Sequence, residues 1–134
     1  MRIVKIILAG FLVFSGVTHA DTPVTTEDKP AITVSEAMPE FVVKLKSNPT
    51  TGYSWFLRDY NSNLLTPVKH VYEAATDKKL VGAAGYELWT FRVRAAATVV
   101  PQQTMIRFVY TRPWQTEDTG TQKVFKVTTV VTRT

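Results

Sequence analysis

Three short segments carry the residue types best suited to molecular recognition: Asn48-Pro49-Thr50-Thr51-Gly52-Tyr53, Gly82-Ala83-Ala84-Gly85 and Arg112-Pro113-Trp114. In the first, Asn48 can bond its own backbone and start a turn, while Pro49 fixes φ at about −65°. Gly52 can take positive φ before the next extended stretch. The result is a rigid projecting tip with Thr50 and Thr51 exposed. Rigidity favours binding, because ordering a mobile side chain costs about 0.5–1.5 kcal/mol. The proline after Asn48 removes this asparagine as a glycosylation acceptor. In the second segment two glycines bracket two alanines, leaving main chain that a partner's extended edge can approach. No Lys-Ser or Lys-Thr follows, so a phosphate cradle is not signalled. In the third, Pro113 again stiffens the chain, and Trp114 precedes a run of polar residues and glycine, 115–120. Trp and Arg are over-represented among the residues that dominate interface energetics. The chemistry of all three is contact chemistry.

Catalytic chemistry has little to work with. The absence of cysteine excludes disulfides, thiolate metal sites and a cysteine nucleophile. Of two histidines, His19 lies in the apolar N-terminal region, leaving His70 alone in the remainder. One histidine cannot build a His-rich metal site. His70 reads as a structural or surface residue. No catalytic residue, metal ligand or cofactor is expected.

The elements that must hold these segments show a period of two. Phe41, Val43 and Leu45 alternate with Val42, Lys44 and Lys46, the pattern of a strand with one buried face. The same alternation predicts strands over 53–58, 87–94, 104–110 and 123–132. A less regular strand spans 64–72, where Pro67 favours an edge or a bend, and a short one spans 32–34. Seven strands with turn-rich connections predict an all-β fold, an immunoglobulin-like β-sandwich. Successive connections in such a sandwich alternate between its ends. Because the three segments follow the second, fourth and sixth strands, they fall at one end.

The chain has 134 residues, enough for one domain. Residues 1–20 read as a secretory signal peptide: Arg2 and Lys5 begin it, an apolar run covers 6–17, and Thr18-His19-Ala20 offers a small-residue cleavage site. The run falls short of the roughly 20 residues that span a bilayer. No cysteine follows to carry a lipid anchor. Residues 21–30 are polar, contain Pro23 and Pro30, and read as a flexible leader to a domain at 31–134. Loss of Arg2 and Lys5 with the signal lowers the formal net charge from +5 to +3. This mild, dispersed excess gives no basic patch, so no nucleic-acid partner is expected. A periplasmic or secreted monomer is expected, off the membrane once residues 1–20 are removed.

In all three motifs, and in their order and separation, the chain resembles the chagasin family of cysteine protease inhibitors. The resemblance runs over about 31–134. It implies an immunoglobulin-like domain that reversibly and tightly inhibits papain-like cysteine proteases, whether papain itself or cathepsin L-like enzymes. It further implies that Asn48, Pro49, Thr50, Thr51, Gly52 and Tyr53 form a loop entering the protease cleft. Gly82, Ala83, Ala84 and Gly85, and Arg112, Pro113 and Trp114, would grip the two walls. The residues leave a second reading open, an exported carbohydrate- or surface-binding β-sandwich module, with Tyr53, Trp55 and Trp114 stacking on sugars.

Overall fold

Alternation along the strands leaves each with one apolar face, and two sheets packed face to face bury those faces together. The computed structural model describes residues 22–74, 84–115 and 120–131. Its eight strands are β1 (Val24–Thr26), β2 (Ala31–Ser35), β3 (Glu40–Ser47), β4 (Ser54–Asp59), β5 (Leu65–Glu73), β6 (Gly85–Val93), β7 (Gln102–Thr111) and β8 (Thr121–Val130). Short 3-10 turns occupy Pro49–Thr51 and Ala95–Thr98. One sheet has the order β1-β3-β6-β5 and the other β2-β8-β7-β4. The all-β sandwich expected from the alternation is present, and the seven expected strands correspond to β2 to β8.

The eighth strand, β1, lies within the segment read as a flexible leader, and there the structure differs from expectation. Val24–Thr26 pairs in parallel with β3, Val24 opposite Val42 and Thr26 opposite Lys44. The edge of β3 supplies the reason, since its backbone groups would otherwise face solvent unpaired. Val42 N donates to Pro23 O (2.9 Å), and Lys46 N donates to Glu27 Oε1 (2.8 Å). The Thr25 side chain is buried and its hydroxyl donates to Lys29 O. The chain then crosses to the other sheet, where β2 pairs in parallel with β8. The proposed signal segment, residues 1–20, lies outside the described residues.

Aromatic rings link the two sheets. Phe41 of β3 stacks on Phe91 of β6 (5.5 Å between centroids), Phe91 meets Phe108 of β7 edge-on (6.2 Å), and Phe108 meets Phe125 of β8 (5.8 Å). All four are fully buried, with Val43, Leu45, Leu65, Ile106 and Val127 around them. Edge-to-face pairs add about 0.5–1.5 kcal/mol each beyond the area they bury. With no disulfide in the chain, this core is what joins the layers. Pro67 sits at a register shift on the edge strand β5, as a residue without an N–H should.

Phe108 touches partners in both sheets, so Phe108→Ala should lower unfolding free energy by about 3–5 kcal/mol. Urea denaturation followed by far-UV circular dichroism measures this. A loss below about 1 kcal/mol, within the range of an ordinary surface substitution, would show that the column does not join the layers.

Candidate functional site

Strand register brings the three segments together. Ser47, which ends β3, pairs with Gly85, which begins β6. Glu73, which ends β5, pairs with Tyr86. In the other sheet Ser54 pairs with Thr111, and Tyr110 with Thr121. The strand ends that flank 48–53, 74–84 and 112–120 therefore lie at one pole of the sandwich, as strand counting predicts.

The first connection is held by its own side chains. Pro49–Thr51 forms one 3-10 turn with Pro49 at its start, where a missing N–H is harmless. Asn48 caps it: Oδ1 accepts from Thr50 N (3.3 Å) and Thr50 Oγ1 (2.6 Å). Thr51 Oγ1 donates to Asn48 O (2.7 Å). Gly52 closes the turn at φ 84°, with its N–H donating to Pro49 O (3.0 Å). Thr50 and Thr51 are exposed. The tip is thus ordered before any partner arrives, and the turn chemistry read from Asn48, Pro49 and Gly52 is what the structure shows.

The third connection is braced against the first. Gln115 Oε1 accepts from Thr111 Oγ1 (2.6 Å) and Arg112 N (3.1 Å), while Gln115 N donates to Arg112 O (3.1 Å). This closes a tight turn that projects Pro113 and Trp114. Trp114 is 69% exposed, a large apolar surface left open on an otherwise polar loop. Its Cη2 would lie 3.4 Å from a Cβ placed on Gly52, so the two loops touch. Arg112 is half-buried, with its guanidinium carbon 4.7 Å from the Tyr53 ring centroid and 5.7 Å from that of Trp114. Such cation–π contacts are worth about 0.5–2 kcal/mol each. Arg112 therefore ties Tyr53 of one loop to Trp114 of the other.

In the second connection, Gly82 and Ala83 lie outside the described residues. Ala84 is half-buried and Gly85 is buried. A Cβ on Gly85 would come within 2.3 Å of Glu73 O and 2.5 Å of the Tyr72 hydroxyl oxygen. The bareness of Gly85, read from the sequence as room for a partner's backbone, is used by the protein's own edge strand.

Residues that pattern reading passed over support the pole from below. Tyr110 Oη accepts from Asn48 N (2.9 Å), and its ring packs on Tyr53 (5.4 Å) and Trp55 (4.8 Å). Trp55 is 4% exposed and donates from Nε1 to Lys46 O (2.9 Å), so it offers no surface for sugar stacking. That removes the middle ring of the carbohydrate-binding reading. His70 is structural: its ring stacks on Trp89 at 4.0 Å. Among the described residues no group of three His, Cys, Asp or Glu side chains is placed to hold a metal.

Comparison with known proteins gives a consistent picture. Residues 36–129 match the family described as Chagasin family peptidase inhibitor I42. The chain is 35% identical over 88 residues to chagasin of Trypanosoma cruzi, covering 61% of this chain and 74% of that protein. Among solved structures it is similar to the cysteine protease inhibitor EhICP2 of Entamoeba histolytica (TM-score 0.61, 18% identity, 83% of this chain and 96% of that one). It is also similar to amebosin (TM-score 0.58, 24% identity, 84% and 100%). At these identities the two structures bear on the fold alone.

Gly52→Ala places a Cβ in the left-handed region and against Trp114. Unfolding free energy should fall by about 1–2 kcal/mol, measured by chemical denaturation with tryptophan emission as a second probe. An unchanged midpoint and emission would mean that the turn does not need this conformation.

Proposed function

Because the chain belongs to the chagasin family of peptidase inhibitors, we propose that it stops papain-like cysteine proteases by plugging their active-site cleft with its loop pole. It is an inhibitor and not an enzyme. The turn carrying Thr50 and Thr51 enters the cleft over the catalytic cysteine–histidine pair. The 82–85 connection lies on one wall. Arg112, Pro113 and Trp114 lie on the other, with Trp114 supplying the anchor and Arg112 holding its ring in place. The observation that supports this assignment is the contact of Gly52, Tyr53, Arg112 and Trp114 across two loops that leave the same pole.

The physical demands on such an inhibitor are modest. It needs no nucleophile, acid or base. It needs a shape that is rigid before docking, because the entropy lost on association is then small. Protease–inhibitor contacts of standard size bury about 1,600 Å² and reach very high affinity when they are pre-organised. The self-bonded turn at 48–52 and the Gln115-closed turn at 112–115 meet that demand.

We also propose that the chain is exported, with residues 1–20 removed, and acts in the periplasm or outside the cell. The basic start, apolar run and small-residue site support this. Recovery from those fractions of a chain beginning near Asp21 is expected. A cytosolic chain that keeps Met1 would overturn it.

Titration of papain and a cathepsin L-like protease with the purified chain should give stoichiometric inhibition, with a serine protease unaffected. Trp114→Ala should weaken inhibition by about 2–4 kcal/mol with an unaltered circular dichroism spectrum. Thr51→Trp should also weaken it, since a bulky tip clashes in a narrow cleft. Equal potency of both variants would remove the pole from the contact.

A further inference from the structure

A buried carboxyl group lies directly beneath the proposed wedge. Glu87 is the third residue of β6 and is 2% exposed. Its side chain has polar partners on three other strands. Ser47 Oγ, at the end of β3, donates to Oε2 at 2.6 Å. Trp55 N, in β4, donates to Oε2 at 3.0 Å and to Oε1 at 3.3 Å. His70 Nε2, in β5, lies 2.7 Å from Oε1. Strands β3, β5 and β6 belong to one sheet, and β4 is an edge strand of the other.

The placement of these partners is specific. Ser47 immediately precedes the first connection and Trp55 lies just beyond it. His70 lies on the strand that leads into the second connection, and Glu87 itself follows that connection by three residues. One side chain thus ties down both stems of the wedge and both stems of its neighbour. The Trp55 N–H lies on the open side of an edge strand, where a β-ladder offers it nothing, so the carboxyl group is what satisfies it. A polar group in this position is costly to bury unless it is fully hydrogen-bonded.

We infer that Glu87 is a positioning residue for inhibition: by bridging the two sheets it fixes the separation of Ser47 and Trp55 and so aims the 48–52 turn. The inference depends on the reading of the loop pole as the protease-binding surface. Glu87 touches no partner. It acts through Ser47 and Trp55, while Tyr110 Oη accepts from Asn48 N on the third-connection side. Two supports, one from each sheet, hold the base of the wedge.

Substitution separates aiming from folding. Glu87→Met keeps the volume and leaves the Ser47 hydroxyl and the Trp55 N–H without their acceptor. Its inhibition constant for papain should rise by about tenfold or more, the scale of one lost buried hydrogen bond. The titration end point, which counts folded molecules, should stay at one to one. Glu87→Gln retains an oxygen for both donors and should return to within about threefold of the parent chain. Amide hydrogen exchange of 48–55 should quicken in Glu87→Met and not in Glu87→Gln, with β2 and β8 unchanged. An inhibition constant for Glu87→Met within twofold of the parent, at full end point, overturns the inference. Should Glu87→Met not fold, Ser47→Ala removes one donor, and unaltered inhibition and exchange there overturn it equally. Failure of the parent chain to inhibit papain would instead overturn the functional reading, and the exchange data would still judge Glu87.

Discussion

The contact on which the structure depends is the column of rings that crosses between the sheets. Phe41, Phe91, Phe108 and Phe125 come from β3, β6, β7 and β8, two strands from each layer. A cysteine-free chain has no covalent tie between its layers, so burial must supply it. Rings packed at interior density fix the distance and rotation of the sheets. Every loop then leaves its strand from a defined place. The loop pole is a consequence of the core before it is a property of the loops.

At that pole, order is built at two levels. Within the first connection, Asn48, Pro49 and Gly52 shape the turn from residues three or four apart, using a cap, a fixed φ and a left-handed residue. Between connections, contact is made by side chains distant in sequence. Arg112 lies between Tyr53 and Trp114, Tyr110 holds Asn48, and Glu87 joins β3, β4 and β5. The first level makes the 48–52 turn stiff and the second fixes it relative to Arg112 and Trp114 and to the strands beneath. An inhibitor that works by shape needs both, because rigid loops that move independently still lose entropy on docking.

Much of the fold was legible because alternation is a local signal. Trp89, Phe91 and Val93 declare a buried strand face without reference to any other segment, and β6 lies there. The wedge was legible for the same reason, since turn residues act on their own backbone. Val24–Thr26 was not: three residues between prolines and charges carry no periodic signal, and their pairing depends on the vacant edge of β3, 18 positions away. Nor was the burial of Trp55, which alternation placed on a strand face without saying what would cover it. Glu87 looked like the start of an amphipathic strand. Its value lies in Ser47, Trp55 and His70, between 17 and 40 positions away along the chain.

The sequence by itself determined strands β2 to β8 and the turn at 48–52, because each follows from residues close together in the chain. Tertiary structure alone decided that Gly85 serves its own sheet, that Arg112 braces Trp114 and that one carboxyl group holds three strands. The physical reason is register: which donor meets which acceptor across a sandwich depends on how two sheets slide and rotate over their shared core. No stretch of neighbouring residues encodes that.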